Sequence, residues 1–274
     1  MKIKLLYVTA LAFFGSSAFA QNKDYKMIGY THSAQYKKSY KLDSLQKDYL
    51  NENFILLFNQ DQSAFRSVSR FLLDSVKRTD EYNRLEQRDR IAVSMEYPSN
   101  NEELIYTNLD AKKITVTTFA AVHPAVDPSY EEWPLLKWTI LDEYKTINNF
   151  DCRKAELDLY GRKWTAWFSL THNAPFGPYK FSGLPGLIIS ISDATSSYKY
   201  ELYKLKTESV RYPLQIHNNV KLVTKQEFKS IVDSGRYGMS LFKEAIMDND
   251  QYKRVEKLKL DMKAKENNPI ELIP

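Results

Sequence analysis

The chain has 274 residues, with 39 lysines and arginines against 34 aspartates and glutamates for a formal net charge of +5, and a single cysteine. So mild a positive balance does not mark a nucleic-acid-binding protein. One thiol excludes an internal disulfide, so the fold must rest on a hydrophobic core, for which the length suffices.

Lys2 and Lys4 precede an apolar stretch over residues 5–14, and Ala18-Phe19-Ala20 supplies a small-x-small site. Together they predict a secretory signal peptide over residues 1–20, with the mature chain starting at Gln21. Its removal takes Lys2 and Lys4 with no acid, which lowers the net charge from +5 to +3. The apolar run is too short to span a bilayer, and no later stretch reaches the roughly 18 apolar residues of a membrane helix. The expectation is an exported protein, periplasmic or released, without a transmembrane segment after cleavage. No cysteine follows the cleavage site to carry a lipid anchor, since the only one is Cys152.

An apolar stretch over residues 54–58 reads as a strand. Phe65, Val68, Phe71, Leu72 and Val76 then fall at helical spacing, which predicts a short amphipathic helix starting near Asp61 or Ser63. Period-two alternation predicts half-buried antiparallel strands over residues 114–119, 136–141 and 164–169. A further strand is expected from Cys152 to Tyr160. The apolar run 187–191 reads as another, as does the stretch from Tyr198, whose period shifts at Tyr203 as a bulge would require. Thr224 and Glu227 have capping-box spacing and open a helix to about Ser234. A second helix is expected over about residues 240–265, interrupted around 248–250, with Phe242, Ala245, Ile246, Val255, Leu258 and Met262 as its apolar stripe. Its basic stretch, Lys253 to Lys265, reads as a solvated face, with contact to an anionic membrane as the alternative. No repeat or linker divides the chain, so residues 21–274 are expected to form a single domain. The fold class is α+β, a mainly antiparallel, curved β-sheet with a short helix in the N-terminal half and helices at the C-terminus.

Between the 164–169 and 187–191 strands lie Pro175, Gly177, Pro178, Gly183, Pro185 and Gly186. Leu184-Pro185-Gly186-Leu187 suits a type II turn, with Pro185 presetting φ and Gly186 taking the positive φ of the third position. Gly183 allows a further sharp bend or a close backbone approach. The hexapeptide Gly183-Leu184-Pro185-Gly186-Leu187-Ile188 resembles the signature of the GLPGLI family, exported proteins of Gram-negative bacteria whose function is unassigned. The similarity extends through Tyr130-Glu131-Glu132, Trp138, Lys145-Thr146-Ile147, Cys152, Lys154-Ala155, Gly161-Arg162, Ala166-Trp167-Phe168, Gly177-Pro178-Tyr179-Lys180-Phe181 and Asp193. It also includes residues 57–65, with Ser63 and Phe65, and Asn268-Pro269-Ile270-Glu271. Asn148-Asn149 departs from the family's glycine before an aromatic residue, although asparagine also tolerates the left-handed region. The resemblance implies export and a single domain, and it implies no chemistry.

Candidate chemistry is sparse. Cys152 could act as a nucleophile with one of His32, His123, His172 or His217, or be a buried structural thiol. Arg162 with Trp164 and Trp167 could present a stacking surface for a sugar or peptide, or be cross-strand packing. Tyr130-Glu131-Glu132 is either a carboxylate site or a solvated strand entrance. His172, Lys180 and Asp193 flank the glycine-rich turn and could converge at its base. The turn itself reads first as a folding element and second as a recognition surface. No HExxH, CxxC, HxH, GxSxG, P-loop or GxGxxG is present, so no metal and no cofactor is expected. Two functions remain. One is a non-enzymatic envelope protein binding a lipid, peptide or outer-membrane partner. The other is an exported hydrolase or thiol enzyme using Cys152 or a dispersed carboxylate pair.

Overall fold

The computed structural model describes residues 26–118, 127–214, 220–239 and 248–273. The proposed signal segment, Phe119, His123, His217 and the expected helix start over 240–247 lie outside the described residues.

Strands β1 (Met27–Tyr40), β2 (Leu50–Phe58) and β3 (Gln62–Ser67) lead into helices α1 (Val68–Lys77), α2 (Asp80–Arg84) and α3 (Gln87–Met95). Strands β4 (Leu104–Asn108), β5 (Lys113–Thr117) and β6 (Asp127–Glu132) complete a first meander. The second consists of β7 (Thr139–Ile147), β8 (Phe150–Leu159), β9 (Arg162–Ser169), β10 (Ile188–Asp193) and β11 (Tyr198–Pro213). A short β12 (Val220–Leu222) and helices α4 (Lys225–Tyr237) and α5 (Asn249–Lys265) follow. Among the described residues these strands form one 12-stranded sheet, ordered β12-β6-β5-β4-β3-β2-β1-β11-β10-β9-β8-β7. The long pairing of β1 with β11 joins the two meanders, and only β12 with β6 is parallel. The fold is α+β, built on a large, mostly antiparallel open sheet.

Local chemistry explains the corners. Asn148 and Asn149 turn β7 into β8 with φ of 49° and 66°, and Tyr160-Gly161 turn β8 into β9 with φ of 50° and 79°. Two successive residues in the left-handed region match the twist of a tight hairpin. Opposite Gln35 and Tyr36 the register skips Tyr203, which is the residue where the period of β11 shifts. The helix expected from Asp61 or Ser63 starts only at Val68. Residues 62–67 are strand because β2 and β4 pair with β3 on both sides, and Phe65 stacks on Phe54 at 4.9 Å. The strand expected over 136–141 starts at Thr139, and Ile140 is largely exposed rather than half-buried, because β7 is an edge strand held only by β8. Of the described part of the stripe expected on the last helix, Leu258 is 58% exposed and Met262 is 36% exposed on α5.

Side chains leave the sheet on two faces. One buries Tyr36, Phe54, Leu56, Phe65, Val116, Trp164, Ile191 and Tyr200 in the larger core. The opposite face buries Ile28, Tyr30, Leu57, Tyr106 and Tyr212 against Val68 and Phe71. There Arg66 pairs with Asp74 of α1 at 2.6 Å, and the Tyr212 hydroxyl donates to the same carboxylate. No helix among the described residues is long and apolar enough to cross a membrane.

Candidate ligand cavity

On the larger-core face the strands are not fully filled. A cavity of about 600 Å³ lies between the sheet, α4 and residues 269–271, within the roughly 300–1,000 Å³ of small-molecule sites. Phe54, Phe65, Ile105, Val116 and Tyr200 come from five strands, and Phe228 and Val232 face them from α4. Helix α4 is set at its start by a capping box, Thr224 accepting from the Glu227 N–H and Glu227 from the Thr224 N–H. Its Phe228 meets the Tyr130 ring edge-on at 4.8 Å.

The polar end of the cavity is a compensated cluster. Lys180, 1% exposed, donates to the Tyr130 hydroxyl at 2.7 Å and pairs with Glu132 and with Glu271 at 2.5 Å. Lys225 pairs with the same Glu132 and Glu271 at 3.0 and 2.9 Å. Two cations therefore face two carboxylates. Burial alone would raise the Glu271 carboxyl, but Lys180, Tyr179 and Lys225 hold it below the usual carboxylate value. Glu271 is thus poorly suited to act as a general acid at neutral pH.

Lys38 is different. It is 6% exposed, on the same face of β1 as Tyr36 and Tyr40, and it lines the cavity. Its ammonium donates to Asn101 Oδ1 at 2.7 Å and lies 4.3 Å from the Tyr40 ring centre and 5.5 Å from that of Phe54. Among the described residues no carboxylate forms an ion pair with it. Burial lowers its pKa to about 8, against the more distant Glu103 and Glu52, which favour the charge, and with Arg236, which disfavours it. A buried cation without a counter-ion costs stability. Lys38→Met is expected to stabilise the ligand-free protein by about 2 kcal/mol at pH 7. A fall from about 10.5 to about 8 is worth roughly 3 kcal/mol, less what Asn101 loses as its donor disappears. The folded pKa lies below the unfolded one, so the penalty is complete below pH 8 and fades as pH rises towards 10.5. Denaturant unfolding of both proteins at pH 7 and pH 10.5 checks this. A variant less stable than wild type at pH 7 contradicts it.

The residues singled out from the sequence are dispersed by the fold. Lys180 and Tyr130 are in the cavity wall and Glu132 pairs with that lysine, so this stretch is not a solvated strand entrance. Glu131 alone points outward, to Lys113 at 2.9 Å. Arg162 offers no stacking surface: it is 5% exposed, pairs with Asp193 at 2.9 Å and donates to Asn268, Pro269 and Ile270. Trp167 is half-buried, with the Lys145 ammonium over its ring at 4.4 Å. His172 is exposed and bonded to Ser169 and Thr171, so it does not converge with Lys180 and Asp193. Those two do act on one element, the 268–271 segment, Lys180 directly and Asp193 through Arg162. The Cys152 thiol is buried, which pushes its pKa up to about 11, and it donates to the Phe150 carbonyl at 3.3 Å. Neither described histidine, His32 or His172, hydrogen-bonds it. Among the described residues no group of three His, Cys, Asp or Glu side chains is placed to hold a metal.

The glycine turn also differs from expectation. Gly186 does not take the positive φ; Gly183 does, at 88°. Gly186 is required for space, since a Cβ there would lie 1.9 Å from the Ser169 carbonyl oxygen. Leu184, Leu187 and Ile188 are buried, Pro185 is exposed, and the Tyr36 hydroxyl donates to the Ile188 carbonyl at 2.7 Å.

Lys38 was not singled out from the sequence. Its signal was phase: Ala34, Tyr36, Lys38 and Tyr40 alternate with Ser33, Gln35, Lys37 and Ser39, which places one lysine in the apolar register.

Fold and cavity together define an open antiparallel sheet with a helix-covered, mainly apolar pocket. No family model matches the chain, and no curated protein sequence matches it. Among solved structures it is similar to PNGF-II in space group P21, with a TM-score of 0.54 and 13% identity over 76% of this chain and 34% of that one. It is also similar to PNGF-II in space group C2, with a TM-score of 0.51 and 13% identity over 75% and 33%. The chain thus spans about a third of the length of those proteins, and the likeness is one of fold.

Proposed function

We propose that this is an exported cell-envelope protein of the GLPGLI type that binds an amphipathic small molecule, of the lipid class, without transforming it. Export rests on the signal features of residues 1–20 and the family on the hexapeptide and its companion stretches. The binding reading is carried by one observation, the preformed apolar cavity between the sheet and α4. The register shifts of β1 against β11 favour a curved sheet. The stretches that carry the resemblance also meet there: Tyr130 and Glu132, Tyr179 and Lys180, and 269–271 all line the cavity or its polar end. An enzymatic reading lacks comparable support, because the Cys152 thiol is held protonated and the Glu132–Glu271 pair is neutralised by two lysines.

The test is to fill the space. Val232→Trp places a large ring in the cavity from α4, where the native side chain is only partly buried. It is expected to abolish enhancement of a polarity-sensitive apolar dye while leaving the melting temperature within a few degrees. Unchanged dye binding would remove the cavity from the account.

A further inference from the structure

Among the described residues, the other cations buried or half-buried on this face of the sheet at the cavity and beside Asp193 have carboxylate partners. Lys180 and Lys225 share Glu132 and Glu271, and Arg162 has Asp193. Lys38 has an amide oxygen and aromatic rings. That amide is fixed in orientation, because Asn101 Nδ2 donates to Glu52 at 2.5 Å and Glu52 also accepts from Ser99 at 2.5 Å. Asn101 therefore turns its oxygen to Lys38. Glu103, the other carboxylate of the cavity wall, stays beyond ion-pair reach of Lys38.

We infer that the cavity takes a singly charged anionic amphiphile, its carboxylate-type head group against the Lys38 ammonium and its apolar body against Phe54, Phe65 and Phe228. This rests on the binding reading above and names the ligand class. The head group supplies the counter-ion that the chain withholds, and a buried charge gains most from a partner when water is excluded. A cationic head group meets only repulsion from Lys38. Lys38 matches one negative charge, and a doubly charged head group brings its second charge towards Glu103. The apolar body follows from the phenyl rings, which offer no polar partner.

Dodecanoate, dodecanol, dodecyltrimethylammonium and dodecyl phosphate are titrated as competitors of the apolar dye at pH 7, with the mature wild-type chain and Lys38→Met. In the wild type dodecanoate is expected to bind roughly tenfold or more tighter than dodecanol, the worth of one charge-assisted hydrogen bond. The ammonium compound should bind weakest. In Lys38→Met the preference for dodecanoate should disappear while dodecanol binding remains, which also shows that the variant is folded. Equal binding of dodecanoate and dodecanol by the wild type overturns the anion assignment and leaves the binding reading intact. A preference that survives in Lys38→Met overturns it too, as does tighter binding of dodecyl phosphate than of dodecanoate. Failure of the dye and all four competitors to bind removes the binding reading with it.

Discussion

Arg162→Met is expected to lower stability by about 3–5 kcal/mol, the cost of stranding one partner of a buried ion pair. The guanidinium donates to Asp193 at 2.9 Å, to Asn268 Oδ1 and the Pro269 carbonyl at 2.6 Å each, and to the Ile270 carbonyl at 3.0 Å. It also sits over the Tyr198 ring at 4.8 Å. Its removal leaves the Asp193 carboxylate with the Tyr198 N–H and the Thr195 hydroxyl. It also removes three of the bonds that hold the 268–271 segment, part of the cavity wall. The double variant Arg162→Met, Asp193→Leu should recover part of the stability, because the buried charge goes with its partner. Amide exchange over 268–273 should be faster than in the wild type in both variants, since neither restores the Arg162 bonds to that segment. Urea unfolding gives the stabilities. A single variant within 1 kcal/mol of wild type would show that the hub does not hold the fold.

The second large effect separates the two glycines of the turn. Gly186→Ala is expected to cost about 2–3 kcal/mol, the upper range of overpacking, since a Cβ 1.9 Å from the Ser169 oxygen forces the backbone apart where β9 and β10 begin to pair. Gly183→Ala should cost only about 1 kcal/mol. That position has positive φ, but a Cβ there meets nothing within 4 Å. Thermal unfolding of the two variants ranks them. The reverse order would restore the type II turn in which Gly186 supplies the positive φ.

What the sequence made legible was local. The capping box at Thr224 and Glu227, the left-handed tolerance of Asn148-Asn149 and the period shift at Tyr203 each depend on residues within a few positions. They reappear in α4, in the β7–β8 turn and in the register of β1 against β11. What stayed hidden depends on partners far along the chain. Arg162 reads as an exposed stacking residue until the 268–271 segment, more than 100 positions on, takes its donors. The period of residues 65–76 reads as one helix until β2 and β4 claim residues 62–67. Gly186 reads as a turn glycine because its neighbour, the Ser169 carbonyl, belongs to the preceding strand. Of the site, the sequence named Lys180, Tyr130 and Glu132 without joining them. Lys38 escaped because a lysine in an alternating strand draws no notice until its register is counted.

If the cavity holds a ligand in the cell, native mass spectrometry of the wild type and of Val232→Trp, each gently purified from the cells that make it, will detect it. The expected wild-type spectrum is a chain beginning at Gln21 with an additional small mass, lost on denaturation and found in the apolar extract, and Val232→Trp is expected to be bare. A wild-type chain as bare as the variant, or the same added mass on both, would show that the cavity holds no ligand.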